Sequence, residues 1–450
     1  MNNNPKLRLS ALEHTGLVNL DSVDHVEVLS ASIDSRSCQK GDAFFAITGQ
    51  RHNGHDYARQ AVDQGAHVLI VEQPLALTTP QIIVNNTALA LLQLSVDYLS
   101  QFSVTTIAIT GSCGKTSTKN ILKQLLECYG SVLASPKSYN NRIGVALTLL
   151  QLTPENRFLI LEFGTSQVGE ILELTSMIKP DRRLLLGASL SHLSGLGSIE
   201  GVVNEKGSIL TGMLAHQVAI INHQSPYAQQ WRRCMSVNAR VINYASPDST
   251  IQIESNGQGS IHLTAQGVQR TYNYALLGQH QIDNLSAALT CVESLNLDVT
   301  TCFNRIELIQ PVERRLELKR LNNGLAILDD SYNANVGSWA AALAVLDNYS
   351  LPNRLVVMSD IDDLGHASQA IHEMIITMMS QSSIKALITL GPICQQAAKK
   401  FARNTMHFDD NQALIRYLGQ LSTADTVVLF KASRVGRLDT LVDQIIEVIE

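Results

Sequence analysis

The chain has 450 residues, of which 45% are hydrophobic and 16% charged, and its formal net charge is −6. That length suits about three domains at ~150 residues each, and the acidic balance argues against a nucleic-acid partner, which needs a basic face. No run reaches the ~18 consecutive apolar residues that mark a transmembrane helix, so no membrane insertion is expected.

The opening, MNNNPKLRLSALEH, lacks the apolar stretch of a secretory signal. Seven scattered cysteines without a CxxC pair read as reduced, mostly buried thiols of the cytosol. Residues 1–100 form a small α/β unit with short strands at Val26–Leu29, Ala43–Ile47, Val68–Val71 and Gln81–Val84. His52, Asn53, His55 and Asp56 crowd one polar loop. Without a second ligand cluster, that loop reads as a capped turn or a contact for a polar ligand rather than a metal site.

Residues 101–311 form a second domain, organised around TTIAITGSCGKTST, Thr105 to Thr118. The β-branched run ending at Ile109 is a buried strand. Gly111, Ser112, Cys113 and Gly114 make a tight loop, and from Lys115 the apolar spacing is that of an amphipathic helix. Backbone N–H groups at such a helix start favour a phosphate. Lys115 then reaches the β- and γ-phosphates, and the Thr116 hydroxyl sits on Mg²⁺. Ile109 occupies the place of the first glycine in the full GxxxxGK[ST] pattern, so this is a shortened phosphate loop. Cys113 has a packing role first and a nucleophilic one a distant second.

Further along, Ser135 to Asn141 is a turn-rich linker into a helix at Val145–Leu152, and the paired asparagines read as turn formers. FLILEFG, Phe158–Gly164, is an apolar strand ending in Glu162. A carboxylate there needs a partner, either a cation such as Mg²⁺ or a basic side chain. A strand from Leu184 runs into a glycine-broken loop with His192, which alone reads as structural. A helix from Ile199 carries Glu205 and Lys206, a strand spans Gln217–Asn222, and Ile242–Tyr274 alternates as β-hairpins do. A helix follows within Leu277–Leu295.

Residues 312–450 alternate strands and helices, with strands at Leu325–Leu328, Arg354–Met358, Ala386–Leu390 and Val427–Phe430. This is a doubly wound sheet with its ligand crevice at the strand C-terminal ends. DDSYNAN (Asp329–Asn335), SDIDDLG (Ser359–Gly365) and KASR (Lys431–Arg434) fall there. The pairs Arg182-Arg183, Arg232-Arg233 and Arg314-Arg315 read as solvated faces.

The ordered set DSR, NGHDY, TGSCGKTSTK, KSYNNRIGVALTLL, LEFGTSQVGEI, SHLSGLGS, NEKGSIL, LGQHQIDN, DDSYNAN and DIDDLG resembles the Mur ligase family over essentially the whole chain. Within the family the likeness is to the member that joins D-alanyl-D-alanine to UDP-N-acetylmuramoyl-tripeptide. A paralogous ligase with a different amine or acceptor is the alternative. The resemblance implies an α/β chain of three domains: a small N-terminal domain for the UDP-sugar substrate, a central ATPase-like parallel sheet with a phosphate loop, and a C-terminal Rossmann-like domain. It implies an ATP- and Mg²⁺-dependent reaction through an acyl phosphate, in a cytoplasmic monomer whose domains close over the substrates.

By position, the resemblance makes Lys115, Glu162, His192 and Lys206 catalytic. Thr116, Glu162, His192 and a carbamylated Lys206 would be metal ligands. It places ATP against Gly111, Ser112, Cys113, Gly114, Lys115, Thr116, Ser117, Asn284, Arg315 and Asp330, with His280 and Tyr332 nearby. It places the other substrates against Ser35, Arg36, Asn140, Asn141, Thr165, Tyr332 and Asn333. The chain departs from the family pattern at Ser194, where glutamate is common, and at Gln281, Arg314, Val336 and Ala432.

Overall fold

The computed structural model describes residues 6–13, 28–49, 52–235, 239–256, 259–421 and 424–449. The chain divides into two compact units. The first holds Met1–Ala108, Tyr129–Gly164 and Leu172–Asp181, and the second holds Ile109–Cys128, Thr165–Ile171 and Arg182–Glu450.

In the first unit, β1 (Ser30–Ser32), β2 (Asp42–Phe45), β3 (Val68–Val71) and β4 (Gln81–Ile83) form a parallel sheet in chain order. The first strand begins at Ser30, and Val26 and Glu27 lie outside the described residues. All four residues of β2 and of β3 are buried. Burial on both faces explains why these strands read as unbroken apolar runs instead of alternating ones. The polar loop behind β2 is a capped turn. Asn53 Oδ1 accepts from His55 N at 3.1 Å, and His55 Nε2 accepts from Glu72 N at 2.8 Å.

The same unit contains β5 (Thr105–Thr110), β6 (Ser131–Ala134) and β7 (Asn156–Glu162), in the order β5-β7-β6. The last two residues of β5 pass into the second unit. The helix expected from Val145 starts earlier, at Arg142, because Asn141 caps it by accepting from Gly144 N at 2.9 Å.

In the second unit, β8 (Arg182–Leu185), β9 (Val218–Asn222) and β10 (Arg240–Tyr244) run parallel. The hairpins expected from Ile242 are thus displaced: β10 joins β9, and the antiparallel set is β11 (Ile251–Ser255), β12 (Ser260–Ala265) and β13 (Val268–Asn273). The arginine pairs are also not simply solvated. Arg183 is buried because its guanidinium donates to the carbonyls of Ile209 and Thr211, both at 2.8 Å, and to Gln217. Arg314 donates to Asp439 and Asp443, both at 2.7 Å.

The C-terminal sheet comprises β14 (Glu317–Arg320), β15 (Ala326–Asp330), β16 (Asn353–Ser359), β17 (Ala386–Leu390), β18 (Asn404–His407) and β19 (Thr426–Lys431). Its order is β14-β15-β19-β16-β17-β18, parallel except for the hairpin strand β14. Alternate residues feed opposite cores: Val356, Met358, Val427 and Leu429 enter one, Leu355, Val357, Val428 and Phe430 the other. Each such side chain contributes ~1.5–3 kcal/mol relative to exposure. The sheet places Asp330 beside Lys431, with Ser359 one residue beyond Lys431's other partner Met358, at its C-terminal edge, where an open α/β sheet collects its ligands.

Candidate active site

The second unit contains the phosphate loop. Gly114 takes φ +84°, and a Cβ there would lie 2.5 Å from Asn284 Oδ1, so conformation and space both demand glycine. Its carbonyl accepts from Thr118 N at 2.8 Å, which opens the Lys115–Leu126 helix. Ser112 ties the loop to the chain after β8: its N donates to Gly187 O at 3.0 Å and its hydroxyl to Ser189 O at 3.1 Å. A helix start of this kind favours an anion through its aligned N–H dipoles.

Beside it lies a cavity of ≈ 290 Å³ whose walls include Ser112, Cys113, Gly114, Ser117, Asn284, Arg315 and Asp330. Gly111, Lys115 and Thr116 are in the same turn but outside the cavity wall. Arg315 Nη2 donates to Thr116 Oγ1 at 3.0 Å, and its guanidinium lies 4.5 Å from the centre of the Tyr332 ring. Asn284 Oδ1 accepts from Thr118 Oγ1 at 3.2 Å. Tyr332 and Asn333, expected to face the other substrates, line this same cavity.

Asp330 pairs with Lys431 and accepts from Leu316 N at 3.2 Å. Burial pushes its carboxyl up, while Lys431 and Arg315 oppose that shift. His280 is brought down to about 4 by burial and by the Lys431 charge.

Sequence reasoning did not single out Lys431 or Asn335 as site residues. Asn335 Nδ2 donates to Ser112 O at 3.2 Å, its Oδ1 accepts from Cys113 Sγ at 3.2 Å, and it caps the Val336–Asp347 helix. Both residues belong to motifs at strand ends, and that position was the available signal.

A second cluster lies behind the loop. Lys115 Nζ donates to its own Gly111 O at 2.6 Å. Lys206, 1% exposed on the Ile199–Gly207 helix, is brought down to about 7 by burial and the charge of Lys115. Burial likewise lowers His192; the Asp363 hydrogen bond opposes this, and Lys206 and Lys115 add to it. The three basic side chains thus lie in one another's field, with Lys115 disfavouring the charged forms of the other two.

Next to Lys206, the buried Glu205 carboxylate accepts from Gly169 N at 2.7 Å and Ile171 N at 2.9 Å, with the Thr165 hydroxyl at 3.4 Å. It therefore holds the Thr165–Ile171 segment by its backbone. Sequence reasoning placed Glu205 on the helix and gave it no role.

The first unit carries the remaining predicted residues. Glu162, at the end of β7, is fully buried. Asn140 O accepts from Gly164 N at 2.8 Å, and a Cβ on Gly164 would meet Asn140 Cγ at 2.6 Å. Ser35 is buried and donates to Gln60 Oε1 at 2.7 Å. Arg36 is exposed and makes a two-pronged contact with Asp34, whose carboxyl it holds at about 2.

Within the first unit the Glu162 carboxylate, and within the second the Thr116 hydroxyl, each offers a hard oxygen of the kind Mg²⁺ takes. His192 adds a ring nitrogen. Lys206 as an amine adds nothing to such a site, whereas a carbamate on it would add oxygens. The donor chemistry fits the ion.

Fold and cavity together define an α/β nucleotide-binding protein of the phosphate-loop kind. Three family models match it: the Mur ligase family catalytic domain over residues 27–96, the Mur ligase middle domain over 109–292, and the Mur ligase glutamate ligase domain over 314–434. The UDP-N-acetylmuramoyl-tripeptide–D-alanyl-D-alanine ligase of Buchnera aphidicola is 31% identical over 440 residues, 95% of each chain. Among solved structures, MurF from Acinetobacter baumannii matches with a TM-score of 0.90 at 26% identity, over 98% of this chain and 99% of its own. The Thermotoga maritima MurF in complex with ADP matches in fold, with a TM-score of 0.81 at 23% identity, over 93% of this chain and 97% of its own. The chain belongs to the Mur ligase family, whose members are ATP-dependent, ADP-forming ligases. No helix among the described residues is long and apolar enough to cross a membrane.

Proposed function

We propose that the protein joins D-alanyl-D-alanine to UDP-N-acetylmuramoyl-tripeptide with ATP and Mg²⁺, in the cytoplasmic assembly of peptidoglycan precursors, and works as a monomer. The observation that carries this reading is the phosphate loop opening on one cavity with Asn284, Arg315 and Asp330, with Lys115, His192 and Lys206 behind it. The names of full-length relatives supply the substrates. The domain limits 1–100, 101–311 and 312–450 go with this reading, and the three matched family segments support them.

In the reaction, a substrate carboxylate oxygen attacks the γ-phosphorus and the bond to ADP breaks. The amine of D-alanyl-D-alanine then attacks the acyl carbon, loses a proton, and inorganic phosphate leaves. Two anions must meet in the first step, so the Lys115 and Arg315 charges and the helix start serve to lower their repulsion. Bound Mg²⁺ would be held in the second unit by Thr116, with His192 and a carbamylated Lys206 at a second ion, and would supply further charge neutralisation; the Glu162 carboxylate of the first unit is a candidate ligand by its chemistry. A lysine held near 7 has a large neutral fraction at physiological pH, the form that adds CO₂ to give a carbamate and a proton. Ser35, Arg36, Asn140, Asn141 and Thr165 would face the nucleotide-sugar.

Phosphate release by purified protein with ATP and Mg²⁺ tests the substrate assignment. Release is expected only when both a UDP-muramoyl-tripeptide and D-alanyl-D-alanine are present. Release with a single amino acid in place of the dipeptide overturns it.

A further inference from the structure

His192 takes φ 53° and ψ 38°, and Asp363 takes φ 61°, both left-handed without being glycine. Such residues persist only where their surroundings fix them, and they gather at functional sites. Here the two strained residues bind each other. His192 Nδ1 donates to Asp363 Oδ2 at 2.6 Å, the Ser194 hydroxyl donates to Asp363 Oδ1, and Ser194 N donates to Asp363 O at 3.3 Å.

Both segments are anchored by buried neighbours of one apolar core, Leu193 and Leu196 on one side and Ile361 and Leu364 on the other. Ser194 adds a neutral hydroxyl donor to the same carboxylate. The geometry points to Asp363 as the positioning residue of His192: its carboxylate accepts from Nδ1, fixes the ring as the Nδ1–H tautomer, and leaves the Nε2 lone pair for the reacting groups. Imidazoles that serve as ligands or bases are set in this way by a carboxylate on the other nitrogen. The inference rests on the reading of His192 as a site residue.

The test uses the full chain labelled with ¹⁵N-histidine, without nucleotide or metal, and assigns the His192 ring by comparison with His192→Gln. Long-range ¹H–¹⁵N spectra of the wild type should show Nδ1 protonated and Nε2 bare. Asp363→Gly suits the left-handed backbone, so it should fold. It should lose that tautomer preference and turn over ~10–100-fold more slowly, as loss of a ligand's outer partner does. Asp363→Asn also tolerates the backbone and its amide oxygen still accepts from Nδ1, so it should keep the tautomer and recover turnover relative to Asp363→Gly. A wild-type ring protonated at Nε2, an unchanged tautomer in Asp363→Gly, or an asparagine variant no better than the glycine one overturns the proposal. Full activity in His192→Gln would instead overturn the reading of His192 on which it rests.

Discussion

Lys206 carries the sharpest prediction at the scale of single residues. Lys206→Ala should lose at least about a hundredfold in turnover, in the range seen when one charge-stabilising group is removed, and small carboxylate anions such as acetate should restore part of it. Steady-state rates with and without the anion check this, and wild-type turnover without any anion would dismiss the carbamate role. His280 gives a stability prediction. Its folded value of about 4 lies below the ordinary 6.5, so between these values the unfolded chain binds a proton that the folded chain refuses. Stability therefore falls as pH drops from 6.5 to 4, by up to roughly 3 kcal/mol. Denaturant titrations of wild type and His280→Gln at pH 7 and pH 4.5 should show the wild type losing more. At this scale the sequence was most readable where a backbone demand coincides with a residue type. Gly114 is legible because a left-handed turn selects glycine, whereas Asn141 read only as a turn former and its side-chain cap on Gly144 N set the helix start three residues earlier than expected. Asp363 was not, because its partner His192 is 171 residues away and no local pattern announces the pair.

Among elements, the Thr165–Ile171 segment depends on the Ile199–Gly207 helix through Glu205, which satisfies two backbone N–H groups from a buried position. Glu205→Gln replaces an acceptor-only carboxylate with an amide, one of whose ends donates, so one of those N–H groups loses its partner. A cost of about 1–3 kcal/mol is expected, together with a raised KM for the nucleotide-sugar and an unchanged KM for ATP. An equal rise in both constants would contradict the assignment of Thr165 to the sugar side. Strand legibility followed burial. The strands β3 and β17 were read to the residue because apolar runs mark strands buried on both faces. By contrast, β6, β14 and β18 carry exposed positions and no such run, and they went unread. The strand β10 was misassigned to the hairpins because its alternation is the same whether its neighbour runs parallel or antiparallel.

Over the whole molecule, the α/β alternation was legible from one end of the chain to the other. Strand order was not, since it is set by pairings between distant segments such as β15 with β19. The chemistry attributed to the molecule has one direct test. A UDP-muramoyl-tripeptide labelled with ¹⁸O in its reacting carboxylate, given ATP, Mg²⁺ and D-alanyl-D-alanine, is turned over and the inorganic phosphate is examined by mass spectrometry. If that carboxylate attacks the γ-phosphorus, one labelled oxygen passes into each phosphate released. Amide formed with unlabelled phosphate would contradict the acyl-phosphate route and the role given to the phosphate-loop site.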